Sequence, residues 1–191
     1  IPPFKTHCSK LARLYLGCMP AIITEYPCFF TASVWKHQFL FANCQYKDIV
    51  LNSLRFLCAK QRIRLFAFVI MSNHIHLIWQ ILPGHSHNAV QRDFLKYTAR
   101  QMQKDLTINN PMFLKKLRVD KADRKYQFWQ RNALSTELRS KHVFDQKLNY
   151  IHQNPVKAGL CSLPEQYHYS SAAFYQTGVD VFGFLTHTAD W

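Results

Sequence analysis

Apolar positions along this 191-residue chain recur in two rhythms, every second residue and every third or fourth, and the changes between them mark the elements. Residues 27–35 (Pro-Cys-Phe-Phe-Thr-Ala-Ser-Val-Trp) are rich in aromatic and β-branched side chains and read as a strand. Over 46–61, Ile49, Val50, Leu54 and Leu57 fall at helical spacing, with lysines and arginines opposite. Residues 62–71 read as a second strand, carried by Leu65, Phe66, Phe68, Val69 and Ile70, and 74–81 as a third, ended by Pro83-Gly84. Only Ser72-Asn73 separates them, which predicts a β-hairpin. The clearest helix covers 88–107, where Leu95, Ala99, Met102 and Leu106 keep core spacing. The basic run within 108–131 predicts a mobile loop. It closes on Tyr126-Gln127-Phe128-Trp129, whose aromatics suit a buried strand and, beside so many cations, could also stack bases. A last helix spans 141–153 with Phe144, Leu148 and Ile151 inward, and is predicted to stop at Asn154, because the residue before a proline is pushed out of helical space.

Composition narrows the class. With 48% apolar and 15% aromatic residues the chain buries a real core, and its 5 glycines and 8 prolines exclude fibrous or low-complexity character. Lys and Arg total 24 against 11 acidic residues, a net charge of +13 that points to a polyanionic partner, nucleic acid before acidic membrane. Cys8, Cys18, Cys28, Cys44, Cys58 and Cys161 contain no C-x-x-C pair, which suits reduced thiols in a cytoplasmic protein. No apolar run approaches the roughly 18 residues that span a bilayer, so no membrane partner is expected. Arg13 interrupts the short apolar stretch from Leu11 to Cys18. Residues 1–19 read as an N-terminal extension with Met19 a candidate start, and 20–191 as a single domain with a C-terminal tail from about 176.

The third strand carries candidate chemistry. Side chains two apart on a strand share a face, so His74 and His76 converge while Ile75, Leu77 and Trp79 point the other way. Neutral imidazole is the commonest protein metal ligand. A lone His-x-His is ordinarily a pair of half-buried strand histidines; it gains meaning from a third ligand and a reacting group. The last helix offers both. Tyr150 and Asn154 lie one turn apart, an amide oxygen at 154 can ligate, and the phenol at 150 can stand beside it. Taken singly, Tyr150 is an amphipathic core tyrosine and Asn154 a helix-terminal residue. On the helix of 88–107, Arg92, Lys96, Arg100 and Lys104 recur every fourth residue, either a solvated face or a phosphate-tracking one.

Met-Ser-Asn-His-Ile-His-Leu-Ile (71–78) and Leu-Asn-Tyr-Ile-His-Gln-Asn-Pro-Val-Lys-Ala-Gly-Leu (148–160) closely resemble the single-tyrosine transposases of the HUH endonuclease superfamily. The nearest match is to REP-associated tyrosine transposases and related insertion-sequence transposases. Phe-Trp-Gln (128–130) and the segment 163–172 also match, and the resemblance covers roughly 20–175. It implies an α+β fold, a central antiparallel sheet of ferredoxin-like or RRM-like kind flanked by helices, with the histidines on a middle strand and the tyrosine on a separate helix. It implies His74 and His76 as metal ligands, Asn154 as the third where some relatives use Gln, Tyr150 as nucleophile, and Mg²⁺ or Mn²⁺ as cofactor. The implied reaction cleaves and rejoins single-stranded DNA next to imperfect hairpins, repetitive palindromic elements or transposon ends, through a 5′-phosphotyrosine. Arg92, Lys96, Arg100, Lys104, Arg131 and Lys157 are the candidate DNA contacts. A nucleoid-associated monomer or homodimer is expected, the tyrosine helix in some relatives being donated by the second copy.

Competing readings are weaker. His85-Ser86-His87 follows Pro-Gly among polar residues and is expected on a loop; His152, two from Tyr150, is expected to point elsewhere. Relaxases share the two histidines but typically place Lys three or four residues after the tyrosine, where this chain has Gln153 and Asn154. The alternative from another class is a domesticated protein that binds nucleic-acid hairpins without cutting.

Overall fold

The computed structural model describes residues 26–131 and 133–190; the N-terminal extension, Met19, Cys8 and Cys18 lie outside them. The first strand, β1 (Cys28–Ser33), leads into helix α1 (Cys44–Ala59), which Asn43 starts two residues before the spacing indicates by accepting the Gln45 N–H at 3.0 Å. Strands β2 (Ile63–Ile70) and β3 (His74–Ile81) form the expected hairpin, and helix α2 (His87–Asn109) follows. A short helix α3 (Pro111–Lys116), the hairpin strands β4 (Arg118–Lys121) and β5 (Arg124–Tyr126), the strand β6 (Leu134–Glu137), helix α4 (Lys141–Lys157) and helix α5 (Ala172–Thr177) complete the order.

The main sheet runs β2-β3-β1-β6 with every neighbouring pair antiparallel. Setting aside the inserted α3 and β4–β5, this is the split βαβ arrangement of a ferredoxin-like fold, in which β1 and β2 are joined through α1 and β3 lies between them. The α+β architecture with a central antiparallel sheet is therefore as expected. Helices α1 and α2 cover one face of the sheet, where Phe30, Leu65, Phe68, Ile75, Leu77 and Trp79 pack with Val50, Leu54, Phe94 and Met102. Helix α4 covers the other, where Phe29, Phe66, Ala67, Val69 and Ile78 pack with Phe144 and Ile151. A register shift between Leu65 and Ala67 turns Phe66 and Ala67 to the same side, which gives α4 the Phe66 ring to pack on.

Three expectations need correction. The basic stretch after α2 is not a loop throughout. Asn110 accepts the Phe113 N–H at 2.9 Å and Pro111 occupies the first helical turn, so α3 forms, and Arg118 pairs with Tyr126 in the β4–β5 hairpin. The 126–129 aromatics are buried at Phe128 and Trp129, yet these two meet the chain at the end of β1 through an isolated bridge, Val34 to Trp129, and the bond from Trp35 N–H to Phe128 O, rather than as a full strand. Third, α4 does not stop before proline. Pro155 costs one backbone bond in the last turn, but its ring is buried, Ala158 N–H reaches Asn154 O at 3.0 Å, and the helix continues to Lys157. Gly159, at φ +69, then breaks the turn as a helix-ending glycine does.

The C-terminal segment returns along the outer edge of β2. Ile70 N–H bonds Tyr169 O, Ser171 N–H bonds Phe68 O and Thr186 N–H bonds Leu65 O, at 2.9, 3.0 and 2.9 Å. Of the described cysteines, Cys44, Cys58 and Cys161 are free thiols. No helix among the described residues is long and apolar enough to cross a membrane.

Phe144 is fully buried and meets Phe66 edge-on at 5.6 Å, so it anchors α4 to the sheet. Phe144→Ala is expected to cost about 3–5 kcal/mol in urea unfolding; a loss below about 1 kcal/mol would contradict this docking.

Candidate functional site

Strand β3 is central, paired to β1 and β2, and its alternation places His74 and His76 on the α4 face. The hairpin turn before it is pinned: Val34 N–H bonds Asn73 O at 2.8 Å and Phe41 N–H bonds Ser72 O at 2.9 Å. Lys36 and His37 hold left-handed backbone, φ 53 and 52, beside this turn, and the His37 carbonyl accepts from Asn73 Nδ2. Such strain persists only where surrounding contacts over-determine it.

The imidazoles lie 4.8 Å apart, centroid to centroid. His74 Nδ1 is 2.7 Å from Asn73 Oδ1, and His76 Nδ1 is 2.7 Å from Thr31 Oγ1, its cross-strand neighbour. With each Nδ1–H donating, each Nε2 keeps its lone pair, the arrangement by which outer partners fix a ligand's tautomer. Burial, joined by the nearby charges of His74 and Lys147, pushes the His76 pKa down to about 3. His74 is lowered as well, by burial first and with help from His37, against a hydrogen bond to the Asn154 side chain, which raises it. Both rings are thus neutral at pH 7, as ligation requires.

Helix α4 supplies the opposing groups. Ser140 caps it by accepting the Val143 N–H, and Phe144 and Ile151 set its inward face. That rotation leaves Tyr150 over the histidines, its ring 5.3 Å from His76 and 5.9 Å from Phe29, while 41% of the residue stays exposed. Asn154 hydrogen-bonds His74 through its side chain and donates Nδ2 to Tyr150 O at 2.9 Å. The structure therefore brings together His74, His76, Tyr150 and Asn154, all from one chain.

The donor set fits a divalent ion. His76 Nε2 is buried with no hydrogen-bond partner among the described residues, an orphaned lone pair facing the α4 side. No cluster of three His, Cys, Asp or Glu side chains exists among the described residues, so the amide of Asn154 is the oxygen donor that can complete two imidazoles.

The cationic candidates divide. Lys157 comes within 5.9 Å of the Tyr150 ring centroid. Arg131 is exposed just after Gln130, whose N–H bonds Ser33 O, across from His74. Arg92, Lys96, Arg100 and Lys104 form an exposed line on α2, across the sheet from Tyr150, and Arg92 pairs with Asp93. His87 opens α2 and bonds Ser135, apart from the His74 pair. His152 does point away, to Ser171 Oγ at 2.9 Å. Lys147, Thr31 and Phe29 escaped the sequence reading; the signal for Lys147 was its place three residues before Tyr150 on one helix.

No family model and no curated protein matches this sequence. Among solved structures, a REP-associated tyrosine transposase bound to a REP hairpin superposes with a TM-score of 0.60 at 17% identity, over 96% of this chain and 94% of that one. This chain has the tyrosine transposase fold. A putative transposase from Deinococcus radiodurans R1 is also similar, at 21% identity over 66% of this chain and 89% of that one, with a TM-score of 0.43.

His152 provides a pH test. Burial lowers its pKa to about 4, so between pH 6.5 and 4 the unfolded chain takes up a proton that the folded chain refuses. Stability must fall as pH drops through that window, with no penalty above it. His152→Gln is expected to make the fall of the unfolding free energy between pH 6.5 and 4 shallower, with the lowered His74 and His76 supplying the remainder; curves that stay parallel to wild type would refute the assignment.

Proposed function

We propose that this chain is a metal-dependent single-tyrosine transposase that cleaves and rejoins single-stranded DNA beside an imperfect hairpin. The observation that carries the reading is an accessible phenol, Tyr150, held against the neutral His76 imidazole, whose Nε2 has no partner among the described residues, with His74 and Asn154 beside it. The tyrosine transposase fold supports it, as does the net charge of +13. The hairpin seen on the neighbouring transposase argues for hairpin DNA as the partner.

His74, His76 and Asn154 would hold Mg²⁺ or Mn²⁺. When bound, such an ion supplies Lewis-acid polarisation of a non-bridging phosphate oxygen. Tyr150 Oη attacks phosphorus and gives up its proton, the bond to the 3′ oxygen breaks, and that oxygen leaves as a 3′-hydroxyl once protonated. The 5′-phosphate stays on the tyrosine. Reversal by a 3′-hydroxyl rejoins the strand, and because one phosphoester replaces another, no nucleotide cofactor is consumed. Lys147 and Lys157 keep the surroundings of the phenol positive, which favours a phosphodiester there.

The test incubates the protein with a hairpin-bearing oligonucleotide carrying a single-stranded flank, with Mg²⁺ or Mn²⁺, and looks for a covalent adduct on a denaturing gel. Wild type is expected to form one and Tyr150→Phe none. His74→Ala or His76→Ala should slow adduct formation about 100-fold, the equivalent of roughly 3 kcal/mol of lost charge stabilisation. Hairpin binding without an adduct on any flank, with either ion, would leave a binding protein and reject the enzyme.

A further inference from the structure

Positions 147, 150, 154 and 157 of α4 are spaced by three, four and three residues, so they form one line along the helix. Two of the four are lysines, one on either side of Tyr150. Lys147 Nζ sits 4.7 Å from the Phe29 ring centroid and 5.6 Å from that of Tyr150; Lys157 Nζ is 5.9 Å from the latter. Among the described residues no carboxylate pairs with either lysine, whereas Lys141, on the same helix, is bonded to Asp145. Lys147 is half-buried, and the two ring faces fix a stem that would otherwise sample many rotamers. Phe29 in turn stacks on His76 at 5.4 Å, so the lysine, the nucleophile and one imidazole share a single packed unit. The result is a preorganised cation that faces the phenol with no counter-ion among the described residues.

We propose that Lys147 is a substrate-binding residue whose ammonium holds a non-bridging oxygen of the phosphodiester presented to Tyr150, while Lys157 holds a neighbouring phosphate from the other side. This rests on the reading of Tyr150 as nucleophile. A point charge on a rigid seat sets where phosphorus lies relative to Oη, which is the positional part of the reaction. The contact belongs to the single-stranded flank, because it lies where the strand is cut and not on the hairpin stem.

Binding is measured in a Tyr150→Phe background, which keeps the ring beneath Lys147 and removes cutting. Two probes are used: a hairpin with a single-stranded flank, and the same hairpin trimmed blunt. For the flanked probe, Lys147→Met is expected to reduce the slope of log K against log salt by about 0.7, the release expected for one single-strand phosphate. It should leave the blunt hairpin unchanged. Lys147→Arg should restore the slope, and Lys141→Met, an equal change in net charge, should not alter it. With Tyr150 intact, Lys147→Met should slow adduct formation about tenfold at saturating DNA, a cost of roughly 1.4 kcal/mol. An unchanged slope, or equal losses with both probes, overturns the proposal and leaves Lys147 as packing for Phe29. If wild type binds the flanked probe and never forms an adduct, the nucleophile reading fails while the slope still decides Lys147. A chain that binds neither probe overturns both.

Discussion

The site depends on the alternation of β3 and on its central place in the sheet. A one-residue slip would turn His74 and His76 into the α1–α2 core and bring Ile75 and Leu77 to the α4 side. Pairing on both edges prevents this, with His76 facing Thr31 on one side and Val69 on the other. The two-residue turn fixes the start of the strand, and the hydrogen bonds from Val34 and Phe41 hold the turn. An imidazole pair is thereby delivered to a face that the two helices of the ferredoxin-like unit leave open.

Covering that face is the work of α4, and its cost is the burial of polar rings. His76 is 5% exposed and loses most of its proton affinity to desolvation. The structure meets this by giving Nδ1 a partner in Thr31 and stacking the ring on Phe29, leaving Nε2 alone unpaired. The C-terminal segment then holds α4 and β2 together. Ser171 Oγ meets His152 and lies 3.3 Å from Phe68 O, Tyr175 Oη donates to Phe66 O, and Tyr167 Oη donates to Ile70 O while Lys47 Nζ reaches it at 3.0 Å. The position of Tyr150 over the histidines thus rests on side chains well beyond the helix that bears it.

What could be read in the sequence follows from how local each signal is. The β2–β3 hairpin was legible because strand rhythm and a two-residue turn are neighbours in sequence. Strand β6 was not: Leu-Ser-Thr-Glu is an edge strand with Leu134 exposed, so nothing in it repeats toward a core. The Asn110-Pro111 start of α3 was present as a cap followed by proline, but the surrounding charges read as a loop. Pro155 signalled a stop because propensity cannot anticipate that its ring would be buried. The basic line on α2 was a true helix face; which side of the sheet it covers is a tertiary fact. His74, His76, Tyr150 and Asn154 were found through spacing and resemblance. Lys147 needed Phe29, a partner from the far end of the chain, before its role had a physical basis.

The absence of a carboxylate from the clustered residues has its own logic. An Asp or Glu at 154 would bind a hard cation more strongly than an amide, but it would stand on the same helix line as Lys147 and Lys157. It would draw those ammonium groups into ion pairs and place a negative charge against an incoming phosphate. Asn154 would offer an oxygen without that charge, and its Nδ2 is tied to Tyr150 O, so the amide orientation is fixed by the helix itself. The same neutrality keeps Lys147 on the aromatic rings instead of on a counter-ion. A site built from two neutral imidazoles, one amide and two lysines that no carboxylate among the described residues pairs stays positive overall. On the proposed reading, that is the sign a phosphodiester requires before a phenol can approach its phosphorus.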